Sequence, residues 1–95
     1  MSNRRYELRV PRSDAVDLAW QDQAGQMHRG EAFLTDISPS GASVRVERPV
    51  RIGTTLSIGY QNQELVGKVK HCATKGSSYL LGVEFQAGYR WEFRP

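Results

Sequence analysis

The stretch Asp36-Ile37-Ser38-Pro39-Ser40-Gly41-Ala42-Ser43-Val44-Arg45-Val46 joins a turn to the cleanest strand pattern in the chain. Ala42, Val44 and Val46 alternate with Ser43, Arg45 and Glu47, the period-two signature of a strand with one buried face. Ser38, Pro39 and Gly41 suit positions i, i+1 and i+3 of a type I turn, with Asp36 placed to cap it through its carboxylate. The stretch therefore predicts a tight reversal between two antiparallel strands.

The same alternation recurs on both sides. Upstream it runs through Val16, Leu18 and Trp20, then through 27–36 around Phe33 and Leu34. Downstream it returns at Leu56, Ile58 and Tyr60, at 65–72, and at 79–85, where Leu81, Val83 and Phe85 share a face. Gln23-Ala24-Gly25, Arg51-Ile52-Gly53, Gln61-Asn62-Gln63 and Lys75-Gly76-Ser77-Ser78 separate these segments with turn-forming residues. No segment holds a 3.6-residue apolar period over some ten positions, so no long helix is predicted. The expected fold is all-β: a small six-stranded antiparallel barrel, since closure removes exposed strand edges. Such a barrel is filled by its own side chains, so a ligand must sit on its outside or rim.

The expected organisation is a flexible arginine-rich arm over 1–14, the barrel over 15–86 and a tail over 87–95. The tail, Gly88-Tyr89-Arg90-Trp91-Glu92-Phe93-Arg94-Pro95, suits a strand, a helical turn packed on the barrel, or the cut end of a longer chain. Ninety-five residues at 39% hydrophobic and 24% charged make one ordinary globular domain. A single cysteine, Cys72, cannot form an internal disulfide, which favours a reducing compartment. No apolar run reaches the ~20 residues of a membrane span, and the start lacks a signal peptide's apolar core. The expected location is the cytoplasm, without membrane insertion.

Charge is distributed unevenly. Residues 1–12 carry Arg4, Arg5, Arg9 and Arg12 against Glu7, a net +3, while the remainder balances nine basic with nine acidic side chains. A neutral body with a cationic arm excludes a chain that is basic all over. It fits a partner with few negative charges.

The inventory does not suit catalysis, cofactors or metals. His28 and His71 lie on different strands without a metal-ligand spacing partner, and His71 and Cys72 are strand neighbours that face opposite ways. No glycine-rich phosphate loop is present. The expectation is a binding protein with no catalytic residues, no metal and no cofactor.

Two features suit binding. Arg5 and Arg9, four residues apart, share a face, and Pro11 pushes Val10 towards an extended conformation. Tyr6, Leu8 and Val10 would then form a stripe resting on the barrel, with both guanidinium forks free for phosphate oxygens or the guanine O6/N7 edge. The spacing alone is uninformative. Ten arginines among 95 residues yield about one such pair by chance, and Arg90-Trp91-Glu92-Phe93-Arg94 supplies a second. Asp36-Ile37-Ser38-Pro39-Ser40-Gly41 is sharper, because a DxSxxG pattern arises only about 0.03 times by chance at this composition. Asp36 and Ser38 would share a face beside Gly41, where a ligand can approach the backbone closely. The carboxylate could accept from guanine N1–H and N2–H₂.

An RxxxR pair about thirty residues before DxSxxG, within a six-strand pattern, resembles the PilZ domain of bacterial cyclic di-GMP receptors. Gly67-Lys68-Val69-Lys70-His71 and Leu81-Gly82-Val83-Glu84-Phe85 are similar to that family's closing strands. The resemblance implies a six-stranded barrel with the arginine motif in an N-terminal switch loop that folds over cyclic di-GMP held against the DxSxxG strand. It implies that Arg5 and Arg9 grip guanine and phosphate, one of them also stacking on a base. Asp36 and Ser38 would hydrogen-bond the ligand, and Gly41 would admit it. Arg4 adds a third guanidinium, which in this family accompanies an intercalated ligand dimer. Many members carry a Trp near His71 that packs on ligand; an imidazole there stacks more weakly. A downstream protein partner or fused domain would receive the signal. Two other readings compete: a small basic barrel binding single-stranded nucleic acid, and a PilZ-like protein-interaction module without nucleotide. Scattered aromatics count against the first, and possession of both motifs counts against the second.

Overall fold

The computed structural model describes residues 8–92. Six strands follow in order: β1 (Val10–Gln21), β2 (Met27–Ser38), β3 (Gly41–Val46), β4 (Thr55–Tyr60), β5 (Gln63–Lys75) and β6 (Ser78–Phe85). They pair antiparallel throughout, in the closed order β1-β2-β3-β6-β5-β4, with β4 returning to β1. This is the barrel the alternation predicts. β1 begins at Val10, which pairs with Ile37, so the strand takes in residues 10–14 of the stretch read as an arm.

Inward positions carry the apolar set. Leu34, Ile37, Val44, Leu56, Ile58, Leu65, Val69 and Leu81 are fully buried, each contributing about 1.5–3 kcal/mol through removal from water. Both barrel mouths are plugged. At one, the 47–54 connection crosses from β3 to β4, which are not neighbours, and buries Val50. At the other, the tail turns at 87–88 and inserts Trp91, only 1% exposed. Trp91 donates its backbone N–H to the Pro39 carbonyl (3.1 Å) and its indole Nε1–H to Gln61 Oε1 (3.2 Å). The tail is thus neither strand nor helix over its described part; burial of one aromatic holds it.

The turns follow their residues. Gln61 and Asn62 both have positive φ (52° and 61°), as a two-residue type I′ hairpin between β4 and β5 requires. Pro39 and Ser40 connect β2 to β3, Ser38 opposite Gly41, and neither has positive φ, in keeping with the predicted type I geometry.

Three irregularities adjust which face residues take. Against β3, Leu34 and Asp36 pair with the consecutive residues Val44 and Ser43, so Thr35 is an inserted residue. The strand β1 compensates on the other side between Pro11 and Asp14. Along β2, Ala32 and Leu34 point inward; uninterrupted alternation would send Asp36 in after them. The bulge reverses the parity, so Ile37 is buried and Asp36 faces out. In β5, Lys70 is the extra residue between Val69 and His71, leaving His71 exposed and Cys72 partly buried against the core.

Candidate ligand groove

The site forms where β1 enters the barrel. Arg9, one residue before the strand, reaches back across β2. Its Nε–H and Nη2–H donate to Asp36 Oδ1 at 2.9 and 2.7 Å, and Nη2 lies 3.5 Å from Ser43 Oγ. Both partners remain partly open to solvent, with side-chain exposures of 54% and 31%. An exposed pair of this kind is worth about 0–1 kcal/mol, far less than the core. The fold therefore does not depend on it.

Beside the pair lies a groove of about 390 Å³ on the outer face of β3, β6 and β5. Arg9 forms one rim, Gly41 and Ser43 the floor on β3, and Lys70 and His71 the far wall on β5. Gly82 keeps the floor low. A Cβ there would stand 3.1 Å from His71 Cδ2, so the imidazole occupies the space above a glycine on the neighbouring strand. The groove thus offers a guanidinium, an ammonium, hydroxyls and a planar ring around an exposed strip of backbone.

The remaining residues singled out in the sequence are placed as follows. Arg4, Arg5 and Tyr6 lie outside the described residues, as does Arg94 of the second arginine pair. Of the expected apolar stripe, Val10 packs against the core but Leu8 is 78% exposed. Leu8 precedes the first ladder pair, so no neighbouring strand covers it. Asp36 does not cap the turn; its carboxylate bonds Arg9 through Oδ1 instead. Ser38 is 3% exposed, and its hydroxyl donates to the Gly41 carbonyl across the hairpin (3.3 Å). Gly41 is dictated by the barrel itself: a Cβ there would lie 2.6 Å from the Val83 carbonyl oxygen on β6.

Ser43 and Lys70 are groove residues that the sequence argument did not single out. Ser43 was accessible to it, since Ala42 and Val44 face inward and Ser43 must face out beside the DxSxxG strand. Lys70 was not, because its position depends on a bulge that appears only in the pairing register.

The fold is a small closed antiparallel barrel with a groove on its outer face, bordered by Arg9 just before β1. The chain belongs to the PilZ domain family, whose model matches residues 3–89. Among solved structures it is similar to the PilZ domain with c-di-GMP of YcgR from Escherichia coli. The TM-score is 0.65 at 12% identity, covering 90% of this chain and 79% of that one. It is also similar to the MrkH–c-di-GMP complex of K. pneumonia, with a TM-score of 0.65 at 15% identity, covering 94% of this chain and 47% of that one. This chain therefore spans about half of MrkH. At such identities the likeness is one of fold. No match was found among curated proteins.

Proposed function

We propose that this PilZ domain is a cyclic di-GMP receptor whose N-terminal arginine segment closes over the nucleotide on the outer face of β2 and β3. The Arg9–Asp36 contact is the observation that carries the proposal. The β1–β2 register sets one arginine of RxxxR beside the aspartate of DxSxxG, 27 residues away, so the two motifs meet at one place on the surface. Both bonds fall on Oδ1, so Oδ2 is available to accept from guanine N1–H or N2–H₂. Family membership and the fold shared with the nucleotide-bound YcgR and MrkH domains add support.

In this proposal Arg5 and Arg9 take guanine and phosphate by charge-assisted, forked hydrogen bonds. Asp36 reads guanine, Ser38 and Gly41 shape the turn that meets the ligand, and His71 offers a stacking surface. Arg4 contributes a third guanidinium and favours two intercalated nucleotides per chain. The dianion neutralises most of the +3 carried by residues 1–12 and holds the arginines before β1 against the barrel. The protein acts as a binding module in the cytoplasm rather than as a catalyst. The repositioned N-terminus and the newly covered groove form the signal read by a partner protein or an attached domain. Isothermal calorimetry with cyclic di-GMP should show saturable heat, with the ligand count per chain separating monomer from intercalated dimer. No heat at millimolar nucleotide would sink the receptor reading, and oligonucleotide binding with a steep salt dependence in its place would favour the nucleic-acid alternative.

A further inference from the structure

The barrel end opposite the groove carries a second, unassigned cleft. It lies between the β1–β2 hairpin and the 47–54 connection, with a volume of about 710 Å³. Its inner wall is Trp20 stacked on His28, with ring centroids 5.2 Å apart and planes 14° from parallel. Its outer wall is the connection, which presents Arg48, Arg51 and Ile52. From this strand end to Asp36, along β2, the separation is about 25 Å at the ~3.3 Å rise of a strand.

Three observations point to a ligand here and to its chemistry. The first concerns charge. Asp22, the acidic side chain lining the cleft, is engaged within its own hairpin: Oδ1 accepts from the Ala24 and Gln26 amides, and Oδ2 meets His28 Nε2 at 2.8 Å. Arg51 donates to the neutral Gln23 (2.8 Å), and Arg48 has no hydrogen bond or ion pair among the described residues. Two guanidiniums therefore line the cleft without a carboxylate partner, Arg48 at its border with the hollow that holds Glu31 and Glu47. The second concerns apolar surface, since Ile52, next to Arg51, is 66% exposed. The third concerns rigidity. Val50 anchors the connection in the core, Gly53 N–H donates to the Val69 carbonyl (2.7 Å), and Val69 N–H returns a bond to Thr54 (2.9 Å). A segment tied down this way presents its side chains with little ordering cost on binding.

We propose that this cleft docks an acidic peptide segment of a partner protein, in which a large apolar side chain is flanked by carboxylates. Carboxylates pair with the forks of Arg48 and Arg51, while the apolar side chain covers Ile52 against the wall of Trp20. A small inorganic anion would satisfy the charges and leave Ile52 bare. Because the cleft and the groove occupy opposite barrel ends, both can be filled at once.

The test is selection from a random dodecapeptide library against the wild-type protein, counter-selected on Arg48→Glu/Arg51→Glu. Both arginines are exposed, and matching melting curves establish that the variant folds. Enriched peptides should carry Asp or Glu around a large apolar residue, bind the variant at least about tenfold more weakly, and weaken on Ile52→Asp. Their NMR footprint should fall on residues 20–28 and 48–54, and Arg9→Ala should leave their affinity unchanged. Peptides that bind wild type and variant equally, or that lack acidic residues, overturn the proposal. So does an oligonucleotide that occupies the same footprint while no peptide does.

Discussion

Arg9 and Gly41 belong to the same site and fail in opposite ways when mutated. Arg9 is exposed, and its pairing with Asp36 is worth about 0–1 kcal/mol. Arg9→Ala should lower the melting temperature by no more than about 5 °C and abolish the stabilisation by cyclic di-GMP that the proposed function requires of the wild type. Asp36→Asn should behave likewise, since an amide cannot hold the guanidinium as a charge-assisted partner. Gly41→Ala instead drives a methyl to 2.6 Å from the Val83 carbonyl. Backbone on both sides must yield, at a cost of about 1–3 kcal/mol, so the apo protein should melt at least about 5 °C lower. Thermal denaturation with and without nucleotide separates the two behaviours. A Gly41→Ala protein as stable as wild type would mean that the glycine serves the ligand rather than the barrel. Arg90→Ala, in the second arginine pair, should leave binding intact.

At the scale of elements, the alternation of apolar residues made the six strands legible, because each buries one face and the period is short. What alternation could not supply was register. Thr35 and Lys70 are inserted residues that reverse the facing of everything after them, and both lie beside the groove. Reading 32–38 as one uninterrupted strand would place Asp36 in the core, since Leu34 is buried; Ile37 is the only hint of the reversal. The buried hydroxyl of Ser38 and the exposure of Leu8 escaped for a similar reason, as both depend on what lies across the sheet. The β1–β2 hairpin carries its own prediction. Asp22 holds the turn through the Ala24 and Gln26 amides and His28, and Gly25 takes positive φ (84°) to complete it. The His28 hydrogen bond, followed by the Gln26 amide, lowers the Asp22 pKa below the ordinary carboxylate value. A lowered pKa means the contribution is present above the unfolded value and lost as pH falls through the folded one. The Gln26 and Ala24 amide resonances should therefore hold their turn positions through mild acid and shift only below the ordinary Asp range. Asp22→Asn, which keeps an acceptor but cannot titrate, should remove that step.

On the scale of the whole molecule, the two mouths are closed by different devices, and only one is tied to the candidate site. Val50 plugs the mouth beside the second cleft. Trp91 plugs the mouth beside the candidate site, bonding the Pro39 carbonyl in the DxSxxG turn and Gln61 in the β4–β5 turn. The Arg12 guanidinium, on β1, lies 5.8 Å from the centre of the Trp91 ring. One residue thus links the tail, the motif turn and the strand that follows Arg9, reaching Pro39 through its backbone N–H and Gln61 and Arg12 through its indole. Trp91→Ala should cost about 3–5 kcal/mol, a large share of the roughly 5–15 kcal/mol of a typical domain. Val50→Ala should cost less, in proportion to the smaller volume lost. Stability alone does not distinguish a plug from a coupling element, but ligand affinity does. Measured by calorimetry well below each melting point, cyclic di-GMP should bind Val50→Ala as it binds wild type. It should bind Trp91→Ala more weakly, because without the buried indole the tail no longer holds its backbone N–H on the Pro39 carbonyl of the 38–41 turn, and Trp91→Phe should fall between. Equal affinities across the series would show that Trp91 only fills the barrel mouth and that the tail takes no part in positioning the ligand motif.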